Sequence, residues 1–200
     1  MQRNGYYLIS RIRWTLLALL LVVPSAYSWD RDDRLAIMAA DLLPAILGAQ
    51  KNFTEFYFPS PLEGQSEVLE ITVQVLYRKK SYLAERTVKR VNNLGLIKGV
   101  KLKAVATRPD EIANLNEQNP PSRKIIFIIE NMGEQLNTVQ ESAIKHNDIT
   151  YSSRIKDVEK GVAVGLSVTE RVLPVINESS LSKIQLQFSP LFMRIAKKVK

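Results

Sequence analysis

The sequence predicts a single three-layer α/β domain, with a mostly parallel sheet, helices on both faces and a late antiparallel hairpin. Between residues 68 and 151, short β-branched apolar runs alternate with helical stretches over short links. Such alternation makes strands pair in parallel, with the crossing helices covering the sheet. The rhythm changes after Gly161, where two apolar runs are separated only by Thr169-Glu170, and so short a link reads as a hairpin. Length allows one full core and makes two a strain.

The first 28 residues have the three parts of an export leader. Arg3, Arg11 and Arg13 give a basic start, residues 14–23 are apolar and uncharged, Pro24 breaks the run, and Ala26-Tyr27-Ser28 precedes a cut expected at Trp29. The apolar run falls short of the about 20 residues that a bilayer span needs, so the leader is read as cleaved rather than kept as an anchor. Residues 29–200 are then the mature domain, placed in the periplasm. The leader carries three of the 28 basic residues and none of the 20 acidic ones, which lowers the net charge from +8 to +5. The cations are scattered rather than run together, and this with export argues against a nucleic-acid partner. There is no cysteine, which excludes disulfides, thiolate metal sites and thiol catalysis.

Asp30, Asp32 and Asp33 precede Leu35, Met38, Ala39, Leu42 and Ile46 at helical spacing. The acids suit a helix start, and the apolar residues should form its packed face. Pro44 should kink or restart this helix and Gly48 should end it. Residues 52–65 show no clear period and read as a loop. A buried strand is expected over 68–77, then a helix from Ser81 packing Ala84, Val88 and Val91, and an alternating strand over 100–106. Arg108-Pro109-Asp110 opens a short helical piece ended by Asn119-Pro120-Pro121. Residues 124–129 form the clearest central strand, 133–145 a helix with Leu136, Val139 and Ile144 inward, and 149–151 a short strand. The hairpin strands are 161–168 and 171–177, with Pro174 confined to an edge or a bulge. A short helix follows from Ser179. In the last helix Ser189 is the N-cap, Pro190 the first residue, and Leu191, Phe192, Ile195 and Val199 the packed face, with Lys197, Lys198 and Lys200 at its end.

The chemistry is sparse. The one histidine, His146, stands where a helix should be ending, a place that suits a dipole partner. No nucleophile–base arrangement surrounds it. One histidine without thiols leaves only carboxylates for a metal, so no metal site is expected. Neither G-x-G-x-x-G nor G-x-x-x-x-G-K-[ST] occurs, and no cofactor is expected. Gly161 and Gly165 read as strand glycines at a bulge or close contact. Asn52-Phe53-Thr54 and Asn177-Glu178-Ser179 match a glycosylation pattern that chance often produces. A non-enzymatic binding or regulatory domain is the class these absences favour.

The closing third adds a resemblance. Gly161-Val162-Ala163-Val164-Gly165-Leu166, Arg171-Val172-Leu173-Pro174-Val175-Ile176-Asn177 and Phe188-Ser189-Pro190-Leu191-Phe192-Met193-Arg194-Ile195-Ala196 resemble the closing signature of the YfiR/HmsC-like family. The export leader, the first helix and the first strand fit it in pattern. The resemblance implies a small α/β periplasmic regulator that restrains an inner-membrane diguanylate cyclase through its periplasmic sensor region, linking envelope conditions to cyclic-di-GMP and biofilm formation. Partners it implies are the periplasmic domain of such a cyclase or of a sensor kinase, and a homodimer is compatible with it. Disulfide-based redox sensing, as in the well-known member, is excluded here by the lack of cysteine. Gly165, Asn177 and Ala196 within the signature are as well explained by holding the fold as by function.

The competing reading is a periplasmic solute-binding protein for a small ligand, serving a transporter or sensor. Such proteins usually hold the ligand between two lobes, and the mature length barely provides two. An unrecognised hydrolase is third. In open parallel sheets the ligand or partner crevice lies beyond the carboxyl ends of the strands. Arg78, Lys79 and Lys80 follow the first strand, Arg108 the second and Arg154 the fourth. Together they are expected to form a basic rim for an acidic partner patch or an anionic ligand, with an ordinary solvated surface as the plain alternative.

Overall fold

The computed structural model of the chain describes residues 31–58, 69–112 and 123–199. The expected leader, residues 59–65 of the expected loop and the Asn119-Pro120-Pro121 stop lie outside them. Residues Arg31–Lys200 form one compact unit. The elements run α1 (Arg31–Gly48), α2 (Phe53–Tyr57), β1 (Glu70–Leu76), α3 (Ser81–Asn92), β2 (Lys101–Thr107), a 3-10 turn (Pro109–Glu111) and β3 (Ile125–Ile128). They continue with α4 (Gln135–His146), β4 (Ile149–Ser152), α5 (Ile155–Glu159), β5 (Val164–Val168), β6 (Val172–Asn177), α6 (Glu178–Lys183), α7 (Pro190–Ile195) and β7 (Lys197–Val199).

The seven strands form one sheet in the order β2-β1-β3-β4-β5-β6-β7. From β2 across to β5 every pair is parallel, β5 and β6 are antiparallel, and β7 lies parallel to β6. This is the α/β sheet with a late antiparallel pair that the alternation of the sequence predicts. Alternate residues of each strand face opposite layers. Ile71, Val73 and Val75 of β1, with Ile125 and Phe127 of β3, pack into the layer containing α1, α2, α3 and α7. Leu76, Ile126 and Ile128 pack instead with Leu136, Val139 and Ala143 of α4 and Val158 of α5. The order reverses between β1 and β3: the chain leaves β1 to one side for β2, then returns to its other side for β3. That reversal makes a topological switch point, and open α/β sheets bind ligands beyond the strand carboxyl ends at such a point, here those of β1 and β3.

Several expectations are corrected. α1 runs unbroken through Pro44, and its buried face is Ala36, Ala39, Ala40, Leu43, Ile46 and Leu47; of the expected Leu35, Met38, Ala39, Leu42 and Ile46, only Ala39 and Ile46 are buried. Alanines carry little hydrophobic signal, yet they are what lets a helix come close to its neighbours. Residues 53–57 are not loop but α2, burying Phe53, Phe56 and Tyr57 with edge-to-face ring contacts. The hairpin link gains a third residue, Arg171, whose carbonyl accepts the Thr169 N–H. Gly161 lies before β5, at φ 105°, in a turn. Of the two, only Gly165 is a strand glycine. A Cβ there would stand 2.5 Å from Val158 Cγ2 and 2.9 Å from the Ser152 carbonyl oxygen, so α5 and β4 both close on it.

Pro174 sits in an interior strand, but β7 pairs only with Val175, Ile176 and Asn177, so the segment holding Pro174 is unpaired on that side. The last helix has the expected Ser189 cap, accepting the Phe192 N–H at 3.3 Å. It stops at Ile195 because Ala196 turns extended, and Lys197, Lys198 and Val199 become β7 rather than a helix end. Leu191 and Ile195 are exposed instead of packed.

Candidate functional site

At the switch point, the carboxyl end of β1 leads through Tyr77-Arg78-Lys79-Lys80 into α3. Glu130, two residues past β3, is turned against this segment. Its Oε1 accepts the backbone N–H groups of Arg78, Lys79 (2.8 Å) and Lys80 (3.1 Å). Backbone N–H groups ahead of a helix form a ready anion site, and here the anion belongs to the chain itself. Burial alone would raise the Glu130 pKa. The three N–H donors and the nearby Lys80 ammonium outweigh it and hold the carboxyl below its ordinary value.

α1 supplies a second set of acids over the same strand ends. Asp33, buried in the first turn, accepts Lys80 Nζ at 2.6 Å on Oδ1 and the Tyr82 hydroxyl on Oδ2. Its neighbour Asp32 accepts Arg154 Nη1 at 3.0 Å. Below Arg154, Ser152 Oγ donates to buried Asp157 at 2.7 Å and accepts the Arg154 N–H at 3.1 Å. Arg154 Nε stands 3.7 Å from the same Asp157 carboxylate. Burial raises the Asp157 pKa, against the pull of Ser152, Arg154 and Lys160. Ser153 is buried and its hydroxyl has no hydrogen-bond partner.

The five cations expected as a rim are thus all placed at strand carboxyl ends, and the structure distributes them. Lys80 and Arg154 come together under the first turn of α1. Arg78 and Lys79 are exposed on the Glu130 side, where the Arg78 Nη1 donates to the Asn131 carbonyl at 3.3 Å and fills the space that Gly133 leaves. Arg108, at the end of edge strand β2, faces Asp110 at 3.4 Å. What the sequence reading missed is the matching acids: Asp32, Asp33, Glu130 and Asp157. Asp32 and Asp33 were legible only as helix-start charges. Glu130 did carry a signal, since an acid directly after the most apolar strand stands where a polar site would be. The strand ends therefore carry a mosaic of acid–base pairs rather than a basic rim. His146 lies at the other end of the sheet, closing α4, with Nδ1 2.8 Å from the Ser142 carbonyl oxygen.

Gly165 and Asn177 both have structural roles. Asn177 caps α6 by accepting the Ser180 N–H at 3.0 Å, and its Nδ2 donates to the Val158 carbonyl at 3.0 Å.

No protein-family model matches the chain, and no curated protein matches it in sequence. Among solved structures it is similar to the ABC domain in complex with L-Trp from Streptococcus pneumonia. That likeness has a TM-score of 0.51 at 13% identity, over 77% of this chain and 60% of the other. A conserved domain protein from Vibrio cholerae O1 biovar eltor aligns over 81% of this chain and 60% of its own, with a TM-score of 0.48 at 12% identity. The chain spans about 60% of the length of these structures, and the first likeness is one of α/β fold.

Proposed function

We propose that the chain is an exported, non-catalytic binding protein whose crevice takes a small zwitterionic ligand, an amino acid or a compound with the same pair of charges. The observation that carries this reading is the pairing of Asp33 with Lys80 and of Asp32 with Arg154 under one turn of helix. A ligand ammonium can exchange onto the aspartates while its carboxylate takes the two cations, leaving no charge unpaired. That matters because a buried charge stripped of its partner is strongly destabilising. The fold likeness to a domain described in complex with L-Trp supports the same ligand class. Glu130 already occupies the three N–H groups ahead of α3, which makes a phosphate-type anion a poor fit at the switch point itself.

Thermal denaturation of the mature chain with each of the twenty amino acids in turn tests the proposal. A ligand at a hundredfold excess over its Kd adds about 2.7 kcal/mol, or roughly 5–10 °C in Tm for a domain of this size. If no zwitterion moves the Tm, the crevice reading fails.

A second reading keeps the regulator implied by the YfiR/HmsC-like resemblance: a periplasmic partner of a membrane diguanylate cyclase or sensor kinase, acting by protein contact. It is favoured by one feature. Among the described residues the crevice has a single wall, since they belong to one compact unit with one sheet, and a partner's surface can supply the other. Capture of a cyclase or sensor kinase from solubilised inner membrane by the mature domain supports it. Recovery of neither, from membranes known to contain both, contradicts it.

A further inference from the structure

A second site lies away from the crevice, on the layer that holds α1. Three of the eight large apolar side chains that stand exposed among the described residues are Val172 (40%), Leu191 (63%) and Ile195 (54%). All three line one groove of about 400 Å³. Its floor is Leu42 and Ile46 of α1, Leu166 of β5, Pro174 of β6 and Phe192 of α7. The helical spacing of Leu191 and Ile195 is that of a packed face, yet nothing in the described chain packs on them. Pro174, which has no N–H to offer a further strand, borders the same space.

The volume lies at the small end of the range for small-molecule sites, about 300–1,000 Å³. The one polar side chain in the lining is Ser189, whose oxygen is already used to cap α7. The groove can therefore accept an apolar body and offers almost nothing to a polar one. Exposed cations adjoin its lining residues along the chain. Lys51 follows Ala49 by two residues, Arg171 precedes Val172, and Arg194 stands between Phe192 and Ile195, all three exposed. Of the acids at the same positions, Asp41 is held by Arg90, which leaves Glu170 against three cations. An apolar trough with a cationic surround fits an amphiphile with a negative head.

We propose that this groove binds an anionic amphiphile with a medium-length alkyl or aryl body, independently of the crevice. Calorimetric titration of the mature chain with sodium dodecanoate below its micelle concentration tests it. The expected result is saturable binding of one equivalent. Two variants at exposed positions should each weaken it at least tenfold while keeping the wild-type circular dichroism: Ala45→Trp, which fills the trough, and Leu191→Glu, which charges it. The double variant Arg171→Glu with Arg194→Glu should bind dodecanoate several-fold more weakly and leave dodecanol unchanged. The proposal is overturned by absence of saturable binding or by binding that both Ala45→Trp and Leu191→Glu leave intact. It is equally overturned if the groove closes through dimerisation in sedimentation, or if the protein floats with phosphatidylglycerol vesicles while ignoring free dodecanoate.

Discussion

Asp148 should destabilise the folded protein at neutral pH, and removing its charge should stabilise it. The residue immediately precedes β4 and is 3% exposed. Its Oδ1 accepts the Lys124 N–H at 2.7 Å, while Oδ2 has no hydrogen-bond partner. Burial raises its pKa to about 6 from 3.8, against the pull of the Lys124 N–H and of the Lys124, His146 and Arg123 charges. An acid whose pKa is higher folded than unfolded favours the native state most below the unfolded value. That advantage is lost as pH rises through the folded value. Two units correspond to about 3 kcal/mol at about 1.4 kcal/mol each. Asp148→Asn keeps the acceptor for the Lys124 N–H and deletes the charge, though Lys124, whose own pKa burial lowers, then loses a counter-charge. The stability difference, variant minus wild type, should therefore climb between pH 4 and pH 7 by about 1–3 kcal/mol and level off above. Urea denaturation at half-unit pH steps reads it directly. A difference that stays flat, or falls as pH rises, would refute the assignment of a buried, under-solvated carboxylate.

Glu130→Ala strips three backbone N–H groups of their acceptor and should cost about 1–3 kcal/mol. Sulfate or phosphate should restore more stability to this variant than to the wild type by filling the vacated anion site, as thermal denaturation in sulfate against chloride would show. Gly165→Ala drives a Cβ into Val158 and the Ser152 carbonyl and should lower stability by about 1–3 kcal/mol, with an unchanged denaturant m-value. N-terminal sequencing of the periplasmic form should begin at or within a few residues of Trp29, and an uncut cytoplasmic product would remove the export reading.

The parallel strands were legible because short β-branched runs such as Ile125-Ile126-Phe127-Ile128, bounded by turn residues, suit a strand buried on both faces. The Ser189 cap is local, and Ser189-Pro190 marks the start of α7 in the sequence itself. What escaped depends on distant partners. Lys197 to Val199 is too short to declare a strand and becomes one only by meeting the free side of β6. The packing of α1 follows alanines that hydropathy barely registers. In the site, cations at strand ends follow from topology alone, but their acids do not. Asp33 and Lys80 are 47 residues apart, and Asp32 and Arg154 are 122 apart. No local pattern joins them, so a rim that reads as basic is in the fold a set of matched pairs.

The binding proposal is tested by an amide-shift titration of isotope-labelled residues 29–200 with a mixture of amino acids, resolved afterwards into single compounds. Saturable shifts should concentrate at Asp32–Asp33, Arg78–Tyr82, Glu130–Asn131 and Ser152–Arg154, and should be lost in Asp33→Asn. Saturable shifts that fall elsewhere, or a spectrum that no amino acid changes, would contradict the proposal.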